Sequence, residues 1–150
     1  MSQSHIQPYL FFGGRCEEAL EFYKSAIGAE TQMLMRYSDS PDPMPPGMLP
    51  TGYENKVMHA SFKVGSSVIL ASDGCGGEES KGFRAFSLSL ALPDAAATDR
   101  VFSALAEGGS VNMPLGETFW SSRFGMLQDK FGMGWMITID PGCDPKYKNA

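Results

Sequence analysis

His59 is one of two histidines in the chain and the one that falls inside a strand-like run. Imidazole titrates near neutrality, so this side chain suits a cavity base or a single metal ligand. It equally suits a core histidine donating to a neighbouring strand. Trp120 and Arg123 lie in a polar, small-residue stretch around Ser121-Ser122. A guanidinium near an indole can clamp a carboxylate or phosphonate, because its fork matches planar and tetrahedral anions. The alternative is a surface arginine stacked on the indole or paired with Asp129. Cys16, near a helix start, is either a thiol of lowered pKa or an inert buried one. Glu17-Glu18 reads as a helix-start acid pair, since adjacent helical residues do not face each other. The chain has no G-x-S-x-G elbow, P-loop or H-E-x-x-H motif.

The elements that must position these residues follow from periodicity. From His5 to Phe12 the pattern alternates, with Ile6, Pro8, Leu10 and Phe12 on one side and His5, Gln7, Tyr9 and Phe11 on the other. Gly13-Gly14 turns the chain. Cys16, Ala19, Leu20, Tyr23 and Ile27 then form an apolar helical stripe, with acids in the first turn and Gly28 past the end. Thr31 to Tyr37 reads as a strand, and Val57 to Val64 with Ser67 to Ser72 as a hairpin turning at Gly65-Ser66. Between them, Ser38 to Lys56 carries five prolines and no periodicity, so it is either a lid over a site or a disordered connection.

The order then restarts. Phe86 to Leu92 alternates as a strand with a serine face, and Asp94 caps a helix ending at Gly108-Gly109. Val111 to Leu115 is a short strand with Pro114 at its edge; Phe124 to Asp129 and Trp135 to Asp140 are further strands, and the tail from Pro141 is surface. Residues 5–75 and 83–140 thus form two βαβββ modules of a single α+β domain, expected to build a curved mixed sheet around a central cavity. Gln7, Tyr9, Ser87 and Ser89 share its inner face, giving a lightly polar floor, unless the serines serve only to let sheets pack. Several of the ten methionines lie in or beside strands, as adaptable core or as the lining of an apolar pocket.

Composition narrows the partners. The chain has 150 residues, 43% of them hydrophobic and 19% charged, which suits a packed interior. A net charge of −5 and a pI near 4.9 leave no basic stripe for nucleic acid and disfavour anionic membrane surfaces. No apolar run approaches membrane-spanning length and no secretory signal is visible. Three cysteines without a C-x-x-C pair fit a reducing compartment, so the expectation is a cytoplasmic protein.

The stretches Pro8-Tyr9-Leu10-Phe11-Phe12-Gly13-Gly14, Cys16 to Tyr23, Val57-Met58-His59-Ala60, Phe86 to Leu90, Glu117 to Met126, Asp129-Lys130-Phe131-Gly132 and Trp135-Met136-Ile137 together resemble the vicinal oxygen chelate (glyoxalase/bleomycin resistance/dioxygenase) superfamily, and within it the PhnB-like group. The resemblance implies the glyoxalase/bleomycin resistance-like fold and a ligand cavity. It also implies metal-ligand positions at Gln7, in Leu70–Ser72, at Ser87 and at Met136. An amide, an apolar stretch, a serine and a thioether do not hold a hard divalent ion, so no metal and no cofactor are expected. The expected function is binding of a small, even anionic, molecule by Gln7, Tyr9, His59, Ser87, Ser89, Trp120, Arg123 and Met136. One alternative is a metal-dependent lyase, isomerase or dioxygenase using His59 and Gln7. A second is a methyltransferase, a label the group has carried, although no strand and Gly-rich turn of the nucleotide-cofactor sort is visible. A homodimer would cover the apolar faces that half-barrels leave, by exchange of strands or without it.

Overall fold

The computed structural model describes residues 4–77 and 81–148. The chain divides into two compact units, residues 1–82 and 83–150. The first contains β1 (Tyr9–Phe11), α1 (Cys16–Ile27), β2 (Glu30–Arg36), β3 (Val57–Val64) and β4 (Ser67–Ser72), in a sheet of order β1-β4-β3-β2. The second contains β5 (Ser87–Leu92), α2 (Ala95–Ala106), β6 (Ser110–Gly116), β7 (Phe124–Gln128) and β8 (Gly134–Ile139), ordered β5-β8-β7-β6, then a short α3 (Pro145–Lys148). In both units the first strand runs parallel to the last and the other pairings are antiparallel. The α+β architecture of two βαβββ modules is therefore as the repeat predicts, each module forming its own mixed sheet.

Alternation decides which sheet face each helix covers. In the first unit Leu10, Phe12, Phe62, Ile69 and Ala71 are buried together with Ala19, Leu20 and Tyr23 of α1. The Tyr23 ring lies 6.1 Å from Phe12 and 5.8 Å from Phe62, within the range where aromatic pairs add to area burial. In the second unit Leu127, Trp135, Ile137 and Ile139 are buried with Val101, Phe102 and Leu105 of α2. Gly125 of β7 makes that packing possible, because a Cβ there would sit 2.8 Å from Phe102 Cε2.

The helix starts are built differently. Asp94 caps α2 by accepting from the Ala97 N–H at 2.8 Å. In α1 the cap position is Arg15, whose side chain makes no capping bond. The missing acceptor comes from Asp73, 57 positions beyond Cys16. Asp73 is 1% exposed; its Oδ1 accepts from Gly14 N and Cys16 N, and its Oδ2 from Val57 N, all at 2.8 Å. One carboxylate thus ties the start of α1 to the start of β3 and the end of β4.

Three expectations need correction. β1 spans Tyr9–Phe11 rather than His5 to Phe12. Pro8 has no N–H to donate and pairs only through its carbonyl, which accepts from Leu70 N at 3.0 Å. Residues 38–56 form a loop with hydrogen-bonded ends: Tyr37 N donates to Lys56 O and Ser38 N to Glu54 O. The Tyr37 hydroxyl pins that loop by donating to Gly74 O at 2.6 Å. The segment after Pro141 is not all surface, since Asp144 is fully buried. Its carboxylate accepts from the Ser122 hydroxyl and from Ser122 N at 2.8 Å and Lys146 N at 3.0 Å, fastening α3 to the approach of β7.

Candidate functional site

The sheet faces turned away from the helices carry the candidate residues. In the first unit, register places Tyr9 opposite Leu70, Leu70 opposite Ser61 and Ser61 opposite Met33, while Phe11 faces Ser72 and His59 faces Met35. This wall is apolar and open: Tyr9, Phe11 and Met33 are each about two-fifths exposed, against 0% for Leu10 between the first two. Tyr9 and Phe11 stack with ring centroids 5.0 Å apart.

A polar chain crosses the wall. The Tyr9 hydroxyl is 2.9 Å from His59 Nδ1. Burial raises the Tyr9 phenol above its ordinary value, and a hydrogen bond from Ser72 partly offsets that. The phenol is therefore neutral and carries a proton. Ser72 Oγ in turn accepts from Gly74 N at 2.9 Å. Either partner can donate in this bond, and whichever way it runs the bond fixes the ring's orientation and leaves Nε2 as the nitrogen that meets another molecule. With a proton on Nε2, such a group can hydrogen-bond a carbonyl or carboxylate, or pass a proton to one.

In the second unit the open face has three rows. Ser87, Gly134, Gln128 and Ser110 form one, and Ser89, Met136, Met126 and Met113 the next. Ala91, Thr138, Phe124 and Gly116 form the third. The middle row is a stripe of three thioethers beside one hydroxyl, a soft surface that adapts to ligand shape. A cleft of about 250 Å³ lies at the first row, under the segment Phe83 to Phe86.

Of the residues singled out in sequence, the structure brings Tyr9 and His59 into contact and sets Ser89 beside Met136 in register. Gln7 is half-buried just before β1, and Ser87 is exposed at the start of β5. Trp120 stands edge-on to Phe119 and Phe124 in the loop before β7. Arg123 differs from both sequence alternatives in its partner: its Nε donates to Asp99 Oδ1 of α2 at 2.6 Å. Asp129 is not available to it. That buried carboxylate accepts from Phe131 N, Met133 N and Trp135 Nε1 at 2.9 to 3.0 Å and shapes the turn into β8. Cys16 is fully buried, and burial pushes its thiol up, with Asp73 and Glu17 adding to the effect, so it is an inert thiol. Sequence reasoning left out Phe11 and Ser61 as binding residues, reached Ser72 only within Leu70–Ser72 and Met126 only among the strand methionines; the strand alternation that found Tyr9 carries the same signal for Phe11. Among the described residues no three His, Cys, Asp or Glu side chains cluster so as to hold a metal ion.

Two pseudo-repeated βαβββ units, each presenting an open sheet face, define a vicinal oxygen chelate-type protein. The family model described as 3-demethylubiquinone-9 3-methyltransferase matches residues 4–138. The chain is 32% identical to Protein YjdN of Escherichia coli over 142 residues, covering 89% of this chain and 94% of that one. Protein PA1353 of Pseudomonas aeruginosa is 40% identical with a TM-score of 0.80, covering 92% of this chain and 98% of that chain. A putative 3-demethylubiquinone-9 3-methyltransferase, PhnB protein, of Bacillus cereus is 30% identical with a TM-score of 0.75, covering 91% and 100%. The chain belongs to the PhnB-like group of the vicinal oxygen chelate superfamily.

Proposed function

We propose that the chain binds a small organic molecule on the open sheet faces, without a resident metal, and that the Tyr9–His59 pair is its polar contact in the first unit. The observation that carries this reading is the 2.9 Å bond between Tyr9 Oη and His59 Nδ1 on a wall otherwise made of Phe11, Leu70, Met33 and Met35. Ligand sites combine an apolar lining with a few placed polar groups, and this wall has that composition. Gln7 flanks that pair in the first unit, and in the second unit Ser87, Ser89, Met136 and Trp120 are the proposed contacts of that unit's own open face. Arg123 contributes to a ligand only by leaving Asp99.

The donor chemistry at Gln7, Leu70–Ser72, Ser87 and Met136 does not fit a hard divalent ion, and no step is routed through one. A nucleotide-like cofactor at the Gly13-Gly14 turn fits no better. The amides of Gly14 and Cys16, which would receive a phosphate or carboxylate there, already donate to Asp73. A homodimer in a reducing cytoplasm completes the proposal.

Native mass spectrometry with elemental analysis, on protein purified without affinity nickel, tests the reading. The expected result is a small-molecule adduct without a stoichiometric divalent ion, and loss of the adduct in His59→Ala. One ion per chain that survives dialysis would overturn it. The oriented imidazole also supports a second reading, an enzyme in which His59 transfers a proton. Turnover abolished by His59→Ala and by chelator would favour a metal-dependent enzyme; turnover sensitive to His59→Ala alone would favour metal-free acid–base chemistry.

A further inference from the structure

The cleft at the start of β5 has a chemistry of its own. It is lined by Phe83, Arg84, Phe86, Ser87, Asn112 and Gln128, among others, and among the described residues no carboxylate lines it. Arg84 is exposed and makes no ion pair or hydrogen bond among the described residues. The other arginines with described ion pairs, Arg15, Arg36 and Arg123, meet Glu18, Glu17 and Asp99. The Ser87 hydroxyl and the Asn112 amide likewise have no described partner, whereas Gln128 Nε2 donates to Gly132 O at 3.0 Å, leaving its Oε1 free.

The backbone around this cleft is set unusually. Ala85 adopts φ 67°, the one non-glycine residue with positive φ among the described residues. In that conformation an L-residue's Cβ crowds the following carbonyl oxygen, so the backbone here is strained. It turns the chain between Arg84 and Phe86, both of which line the cleft. Gly134 keeps the floor open, since a Cβ there would lie 2.5 Å from Ser87 Oγ.

We propose that this cleft is a binding subsite for a small organic carboxylate, with Arg84 as the residue that recognises its charge. A planar guanidinium with uncommitted donors matches a carboxylate through two parallel bonds. The hydroxyl and amide add neutral donors, and the rings of Phe83 and Phe86 suit an apolar body behind the charge. A cleft of about 250 Å³ has room for a single aromatic ring, since a cavity of about 150 Å³ already admits benzene.

The test is an NMR titration of the full chain with benzoate, using neutral benzamide as control. Benzoate is expected to produce saturable shifts at the amides of Ser87, Asn112 and Gly134, and benzamide to produce none. Arg84→Gln should weaken benzoate at least about tenfold, the scale of a lost hydrogen bond to a charged group, and Arg84→Lys should fall between. Equal affinity in Arg84→Gln, equal shifts with benzamide, or no saturable shift at those amides would overturn the proposal. Shifts confined to Tyr9, His59 and Ser61 would also overturn it, while supporting the separate reading of the first unit.

Discussion

At the scale of single residues, the buried carboxylates Asp73, Asp129 and Asp144 do most of the organising, chiefly by accepting from backbone amides. Asp144 is the clearest. Burial alone would raise its carboxyl, but bonds from the Ser122 hydroxyl, the Ser122 and Lys146 amides and the Ser121 hydroxyl outweigh burial and hold it down to about 2, from an ordinary 3.8. A carboxyl depressed on folding stabilises the native state above its unfolded pKa, and that stabilisation is lost as pH falls through the folded value. The window here runs from about pH 4 to pH 2. Thermal melts across that range should therefore show a steep acid limb, and Asp144→Asn should flatten part of it while lowering the melting temperature at neutral pH. An unchanged acid limb in the variant would show that other carboxyls dominate. Tyr37 behaves differently: burial, then Cys75, push its phenol up, so its proton stays on the bond to Gly74 O.

At the scale of elements, the helices and most strands were legible because they satisfy local rules. Cys16 to Ile27 has an apolar stripe, early acids and Gly28 in the left-handed C-cap, and it forms as read. The hairpin and the Asp94 cap were legible for similar reasons. What escaped were partnerships between distant positions. Nothing near Arg15 announces that Asp73 will supply the acceptor for α1, nothing in Tyr9 announces His59, and Arg123 meets Asp99 of α2 while β7 holds it and Asp129 at opposite ends, about 20 Å apart. The cost of removing such a partner can be stated. Asp73→Ala leaves three buried N–H groups without acceptors, at about 1–3 kcal/mol each, so chemical denaturation should show a loss of roughly 3 kcal/mol or more. Loss below 1 kcal/mol would mean water replaces the carboxylate. Gly109 offers a second case. It follows α2, and an added Cβ would lie 2.1 Å from the Gln128 carbonyl oxygen and under 3 Å from Asp129 backbone. Since backbone must move to admit a methyl, Gly109→Ala should cost roughly 1–3 kcal/mol, as overpacking does. A neutral variant would show that β7 shifts freely.

At the scale of the whole molecule, the two units share one difficulty: each covers one sheet face with a helix and leaves the other exposing large apolar side chains. Phe11 and Met33 are exposed in the first unit, and Met113, Phe119 and Trp120 in the second. Exposed apolar surface of this kind marks a place where something binds, and a small ligand covers only part of such a face. In the proposed homodimer a second copy of the chain covers the rest, with β2 and β6, the longest of the edge strands β1, β2, β5 and β6, as the places to meet. Pro114 and the register shifts in β6 interrupt that edge, which favours side-chain packing over continued strand pairing. Light scattering after gel filtration should accordingly give about twice the 16.3 kDa chain mass. Placing a charge on each edge with Met33→Glu and Met113→Glu should halve that mass while leaving each unit folded, because both side chains are already about two-fifths exposed. A mass of one chain at every concentration would remove the dimer. A dimer indifferent to both substitutions would move the interface to other surfaces, with the exposed Phe119 and Trp120 the next to change.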